Sequence, residues 1–256
     1  VVVAILLGKS PMTLFAGLGA TSAVLMLVFK DTILGLAAGV RLTSNDMLHK
    51  GDWITVKSVD ANGIVEDMSL TTVKVRNFDN TIVTISPATL VNGSFQNWIG
   101  MQKSGGRRAK RIVYFDFRSI RLVDETLKQT LLAKHFATED SFKLKESLQK
   151  AIEKDIQEGK DIEDLKNPAA LAPTNLQLYR RFMEKYLRQR PEVNTELTLM
   201  VRHMEATQCG LPIEFYFFIK DKVWVNYEHI LADIMEHAYA LANEFGLKIY
   251  EQYPEQ

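Results

Sequence analysis

Apolar residues dominate the first thirty positions of the chain. Val1–Leu7 is an unbroken apolar run, Gly8–Pro11 interrupts it, and Met12–Phe29 contains no charged residue. The second run approaches the ~18 to 20 residues that a helix needs to cross a bilayer's hydrocarbon core. We therefore predict a membrane-spanning helix here; a buried helix of a soluble domain is the alternative. Because the chain opens inside an apolar run without Met, we expect residues 1–10 to be the end of a preceding membrane helix and its turn.

Small residues recur four positions apart within this apolar helix. The pairs are Ala16 with Ala20, Gly17 with Thr21, and Gly19 with Ala23. Lipid tails are as apolar as leucine, so membrane helices associate where small side chains let their backbones approach closely. This pattern favours an oligomer of helices over a single membrane anchor.

Charge returns at Lys30 and Asp31, and the segment beyond them mixes apolar and polar residues. Thr32–Met47 contains Gly35 and Gly39, which predicts an interrupted helix at the membrane boundary, so that residues 11–49 form two successive helices. Ionisable residues at the end of a membrane helix are costly unless they face water or a partner. Lys30 and Asp31 are therefore functional candidates, and the alternative is that both reach the interface by snorkelling.

From Gly51 the pattern changes to short β-branched runs separated by turn residues. The turns are Asp60–Gly63 and Asn77–Asn80, and the intervening segments alternate apolar and polar positions. Alternation bounded by Asn, Asp and Gly is typical of antiparallel hairpins. Residues 50–100 are therefore predicted to form a small all-β domain of four or five strands.

The rest of the chain, residues 101–256, mixes helical and strand patterns and predicts an α+β domain. Apolar stripes indicate several helices, the last of them ending at Gly246. One of these stripes consists of Leu176, Tyr179, Met183 and Leu187. A charged helical insertion is expected near 138–170. The basic segment Met101–Arg111 predicts a flexible connector. It either attracts anions or anionic lipid, or it is only a solvated linker. Its candidate ion-route residues are Arg107, Arg108, Lys110 and Arg111.

Composition and motifs exclude several classes of function. Lysine plus arginine and aspartate plus glutamate each total 31, and this zero net charge argues against a nucleic-acid-coating protein. The single cysteine, Cys209, excludes an internal disulfide and is interpreted as a core residue. The sequence has no phosphate-binding glycine loop, metal-ligand spacing or nucleophile motif, so no enzyme activity, metal or cofactor is predicted.

An ordered series of motifs resembles the small-conductance mechanosensitive channel (MscS) family. The series spans roughly residues 12 to 98 and consists of the small-residue helix, Leu36–Val40, Lys50–Ile54, Gly63–Val65, Thr72, Asn80–Pro87 and Asn97–Trp98. The charged insertion and the C-terminal helix look similar to the miniconductance subgroup. Three features depart from the family pattern: bulky Val24 and Met26, charged Lys30–Asp31 at the family's helix break, and Ala88 after Pro87.

The resemblance implies a tension-gated ion channel in the bacterial inner membrane, with several membrane passes and its C-terminal domains in the cytoplasm. It implies a homoheptamer whose pore helices are followed by an Sm-like β domain and a hollow cytoplasmic chamber, with membrane lipid and permeating ions as partners. The implied pore-lining residues are Ala16, Ala20, Ala23, Leu27 and Lys30. Leu27 would form the apolar gate, which closes by dewetting. The alternative function is a membrane-anchored oligomeric scaffold whose β domain binds RNA or protein.

Overall fold

The computed structural model describes residues 11–143, 150, 154, 157 and 172–252, which divide after Lys103 into two compact units. The expected end of a preceding membrane helix at 1–10 lies outside these residues. So does most of the expected insertion at 138–170.

The first unit begins with one long helix, α1, which runs from Pro11 to Ser44 without interruption. Its 34 residues rise about 51 Å at 1.5 Å per residue. The predicted break at Lys30 and Asp31 is therefore corrected by the structure. Neither residue lacks a backbone N–H or a Cβ, so neither interrupts the helical hydrogen-bond ladder as proline would or weakens it as glycine would. The predicted pore and boundary helices are one element.

A five-stranded antiparallel sheet follows α1. Its strands are β1 (Trp53–Val56), β2 (Ala61–Met68), β3 (Val73–Asn77), β4 (Ile82–Ile85) and β5 (Gln96–Asn97), in the order β4-β3-β2-β1-β5. Two short helices, α2 (Pro87–Asn92) and α3 (Ile99–Lys103), complete the unit. The turn residues Asp60 and Asn80 adopt positive φ angles of 51° and 69°. Asn80 lies in the predicted turn Asn77–Asn80, but the first turn is formed by Lys57–Asp60. Asn62 and Gly63, predicted as turn residues, lie in β2 and pair with β1.

Alternating burial along the strands builds the core of this unit. In β3, Val73 and Val75 are fully buried while Lys74 and Arg76 are exposed. The same cluster includes Leu42 and Leu48 from the chain around the end of α1. The end of the long helix is therefore part of the β domain's core.

The second unit pairs a three-stranded antiparallel sheet with three main helices. The strands are β6 (Arg107–Phe115), β7 (Met200–His203) and β8 (Leu211–Ile219), in the order β6-β8-β7. The helices are α4 (Glu125–Ala133), α5 (Asn175–Gln189) and α6 (Trp224–Glu244). The apolar stripe predicted on α5 is buried in the core at Leu176, Tyr179, Met183 and Leu187. The predicted fold class, an apolar helix, a β domain and an α+β region, is confirmed.

Local details of the second unit confirm one prediction and correct two. Gly246 ends α6 with φ 66°, and Leu247 N–H donates to the Ala242 carbonyl at 3.0 Å, as a glycine-terminated helix requires. Arg107–Arg111 lies inside β6 and is not a flexible connector, because its backbone pairs with Phe215–Ile219. Cys209 is exposed in the tight turn closed by Thr207 and Gly210, so its assignment to the core was wrong.

Candidate pore helix and its junction with the β domain

Residues 15–34 of α1 present an apolar surface that no other part of the described chain covers. Leu25 is 53% exposed, Leu27 73% and Phe29 53%. Phe15–Ser44 is the one helix of the described residues that is long and apolar enough to cross a membrane. A helix that is apolar on every side needs lipid or other helices around it.

The residues expected to line a pore lie on one side of this helix. Ala16, Ala20, Ala23, Leu27 and Lys30 follow one another at intervals of four and three residues, which is the spacing of one helical face. Ala23, Leu27 and Lys30 share one apolar surface groove with Met26, Ile33 and Leu34. Among the described residues, Lys30 is therefore the one charged residue that lines this otherwise apolar groove.

The residues expected to pack against neighbouring helices are open to approach. A Cβ built on Gly17 or Gly19 would meet no atom within 4 Å. The Thr21 hydroxyl donates to the Gly17 carbonyl at 2.6 Å, so its polar group is satisfied within the helix. Gly17 and Thr21 lie on one side of the helix and Gly19 on the other, since residues two positions apart point about 200° apart. Both sides therefore present small groups to a neighbouring helix.

The last turns of α1 are fixed to the β domain through a narrow buried stripe. Gly35, Ala38, Gly39 and Leu42 are buried at intervals of three, one and three residues. A Cβ on Gly39 would lie 2.5 Å from the Leu70 carbonyl oxygen, whereas one on Gly35 would meet nothing within 4 Å. Of the two glycines expected in the boundary helix, only Gly39 is required by a close backbone approach.

Lys30 and Asp31 line different surfaces although they are adjacent in sequence. Lys30 belongs to the apolar groove, while Asp31 lines a second groove of about 570 Å³ with Thr71, Ser86 and Asn92 of the β domain. Successive helical residues point about 100° apart, which explains the separation. Only Asp31 is directed towards the β domain.

A buried carboxylate secures the chain where it leaves α1. Asp52 is 7% exposed, and its Oδ2 accepts hydrogen bonds from the His49 N–H at 3.0 Å and the Asn97 side-chain amide at 2.8 Å. The same amide donates to the Met47 carbonyl at 3.2 Å. These bonds connect the segment after the helix to β5. Asp52 and Asn97 belong to the motifs Lys50–Ile54 and Asn97–Trp98. Their hydrogen bond joins residues 45 positions apart, and no local sequence pattern predicts it.

The four candidate ion-route residues make contacts within the second unit. Lys110 lies 3.3 Å from Glu214 and Arg111 lies 3.8 Å from Glu228, while Arg107 covers the Tyr227 ring at 4.3 Å. Arg108 lies 5.9 Å from the centre of the Tyr216 ring. Their positive charge is therefore partly compensated inside their own domain.

Glu214 is the buried centre of this network. Burial raises the pKa of its carboxyl, but hydrogen bonds and positive charge from Arg202 and Lys110 outweigh burial and place the pKa below its usual value. Arg202 Nε donates to Glu214 at 2.8 Å. Nothing in the sequence marked Glu214 as a functional residue.

Metal-ligating groups do not converge in the part of the chain that the structure describes. No cluster of three or more histidine, cysteine, aspartate or glutamate side chains capable of holding a metal occurs among these residues.

Comparison with known proteins identifies the region that joins the helix to the sheet. Residues 31–100 match the sequence model described as "Mechanosensitive ion channel, beta-domain". The chain is 34% identical over 84 residues to the small-conductance mechanosensitive channel MscMJ of Methanocaldococcus jannaschii, covering 33% of this chain and 23% of that protein. It is 30% identical over 127 residues to MscMJLR of the same organism, a large-conductance mechanosensitive channel, covering 49% and 35%. The matched regions thus span about a quarter to a third of these relatives.

Solved structures share the fold over almost the whole chain. Helicobacter pylori MscS in its closed state superposes with a TM-score of 0.59 at 12% identity, over 98% of this chain and 74% of that one. Arabidopsis thaliana MSL1 gives a TM-score of 0.62 at 11% identity, over 97% and 69%. At these identities the likeness concerns the fold. The relatives named here are channels and not enzymes, which agrees with the sequence prediction.

Proposed function

Since residues 31–100 match the β domain of mechanosensitive ion channels, we propose that the chain belongs to the MscS family and is a subunit of an ion channel that membrane tension opens. The observation that carries this proposal is the exposed apolar segment of α1, which continues without a break into a mechanosensitive-channel β domain. A rigid connection of this kind transmits a tilt of the membrane segment to the base of the helix. The proposed role is to release ions and small solutes during hypoosmotic shock.

The proposed assembly is a ring of identical subunits, with seven copies as the family resemblance implies. The small residues of α1 support this arrangement, because Gly17 and Gly19 leave room for neighbouring backbones on two sides of the helix. The outer apolar residues would then contact lipid. We place the ring in a bacterial inner membrane, with the C-terminal domains in the cytoplasm, and assign the protein to the miniconductance subgroup.

The proposed gate is an apolar ring formed by Leu27, with Ala23 one turn away. A narrow apolar constriction expels water, and ions do not cross the dry gap. Tension favours the conformation with the larger area in the membrane plane, so outward tilting of the helices widens the ring until water enters. Ala16, Ala20 and Lys30 would line the same route.

The proposal is tested by recording from the purified protein in liposome patches under graded suction. We expect discrete conductance steps above a reproducible threshold, and a ring-sized particle by light scattering in detergent. Empty liposomes are the control. A monodisperse monomer, or a ring oligomer that stays silent up to patch rupture, would contradict the proposal.

We further propose that the basic residues of β6 border the ion route and contribute weakly to selectivity. Replacing Arg107, Arg108, Lys110 and Arg111 by glutamine should shift the reversal potential in asymmetric salt towards cation preference, because fixed charge changes the local ion concentration. The shift should be small, since Glu214 and Glu228 already compensate two of these charges. An unchanged reversal potential would assign these residues a structural role alone.

A further inference from the structure

A cleft in the second unit has the lining of a small-molecule site that the proposed channel activity does not use. It has a volume of about 350 Å³ and lies between α5 and the segment that leaves α4. One wall is a single face of α5 with Leu178, Arg181, Phe182 and Lys185, and the other wall starts at His135. Its size is at the lower end of the range of about 300 to 1,000 Å³ that small-molecule sites occupy.

The charge of this cleft is positive and lacks an internal counter-charge. Arg181 and Lys185 lie one helical turn apart, and no aspartate or glutamate is among the described lining residues. Neither cation forms an ion pair within the described part of the chain. On the same helix, Arg188 forms an ion pair with Glu184 at 3.0 Å, so a neighbouring cation outside the cleft does have an acidic partner. Two converging cations without acids favour an anion, and guanidinium suits phosphate oxygens in particular.

Three aromatic side chains, Phe136, Phe182 and Tyr186, also line the cleft. The rings of Phe136 and Phe182 both line it and pack edge to face at 5.3 Å, and Phe182 is further supported by Phe245 at 5.7 Å. Tyr186 borders the same space and stacks on His237 at 5.8 Å. Firmly held rings next to cations suit a ligand that combines a planar group with an anionic one.

We propose that this cleft binds a nucleoside monophosphate, with the phosphate on Arg181 and Lys185 and the base against Phe136 and Phe182. This assignment is independent of the channel proposal, because binding to the second unit is measurable whether or not the protein conducts ions.

Calorimetric titration of the intact protein in detergent tests the assignment, with AMP, adenosine and inorganic phosphate as separate probes. We expect saturable binding of AMP and at least tenfold weaker binding of the other two. The double variant Arg181→Gln with Lys185→Gln should weaken AMP binding by about 100-fold, since each charged hydrogen bond contributes roughly a factor of ten or more. Phe182→Leu should weaken AMP binding several-fold and leave phosphate binding unchanged.

Arg188→Gln is the matched control, because it removes an ion-paired cation from the same helix outside the cleft. This control should bind AMP as the parent does, and the charge variants should keep the parental thermal unfolding midpoint. Phe182→Leu should lower that midpoint, because it loses ring contacts with Phe136 and Phe245. Absence of saturable AMP binding, or equal binding by the double variant, would overturn the proposal. Equal affinity for phosphate and AMP would also overturn it, since the cleft would then recognise a simple anion.

Discussion

The two longest helices among the described residues, α1 and α6, differ in how their apolar residues are exposed. Along α6, Tyr227, Leu231, Ile234 and Ala238 are buried at intervals of three or four residues while charged side chains lie outside. Along the first two thirds of α1, apolar residues point in every direction and remain exposed. The apolar face of α6 is covered by other residues of the same chain. The helix without a preferred face requires an apolar surrounding that the chain does not supply.

A matched pair of leucine variants should separate the two helices most clearly. Leu231→Ala in α6 should lower the free energy of unfolding of the second unit by about 2 to 5 kcal/mol, because Leu231 is 2% exposed and its removal leaves a cavity. Leu25→Ala in α1, where the leucine is 53% exposed, should leave the free energy of unfolding of the first unit unchanged. Denaturant titration followed by tryptophan fluorescence measures both. Equal losses would contradict the contrast between the helices.

A pair of glycine variants tests where α1 changes from exposed to packed. Gly39→Ala should destabilise the first unit by about 1 to 3 kcal/mol, because the new Cβ would lie 2.5 Å from the Leu70 carbonyl oxygen, a backbone atom. Gly35→Ala should stabilise it by about 0.5 to 1 kcal/mol, since the Cβ would meet nothing within 4 Å and alanine favours the helix. Thermal unfolding compares the two. Effects of the same sign would show that the helix does not rest on Leu70.

A buried acid in the second unit should show a smaller effect with a defined pH dependence. Glu214→Gln should cost about 1 to 2 kcal/mol at neutral pH, because Arg202 and Lys110 lose their shared carboxylate while remaining partly solvated. The pKa of Glu214 is depressed in the folded protein, so its contribution is complete above its ordinary pKa of 4.5 and is lost as the pH falls through the folded value.

The unfolding free energies of the parent and Glu214→Gln should therefore differ by a constant amount from pH 7 to about pH 5 and converge in acid. Urea titration at several pH values measures this difference. A difference that grows in acid would show that the carboxylate does not stabilise the fold.

Local patterns made much of this fold predictable from the sequence. The stripe from Leu176 to Leu187 and the helix end at Gly246 follow from side-chain spacing and backbone preference within a few residues. The continuity of α1 was missed because Lys30 and Asp31 resemble a helix boundary in composition, although neither stops a helix physically. The position of Arg107 in a strand was not predicted, because the basic residues around it hide the alternation of buried and exposed positions along the strand. Pairing of this segment with β8 in the structure shows that it is a strand.

Long-range contacts at the candidate site had no signal in a single sequence. The approach of Gly39 to Leu70 and the bond between Asn97 and Asp52 join positions that folding alone brings together. The pore-facing assignment of Leu27 is different in kind, because it depends on neighbouring subunits. It stays a prediction that needs a functional measurement.

The opening pressure of Leu27→Ser tests the proposed gate most directly. A hydroxyl from each subunit should let the constriction hold water at rest, so channels should open at a lower suction than those of the parent. Leu25→Ser, which places the same group off the proposed face, should open at the parental suction, and Ala23→Ser checks whether the ring lies one turn away. A parental threshold for both Leu27→Ser and Ala23→Ser would contradict an apolar gate on this face of α1.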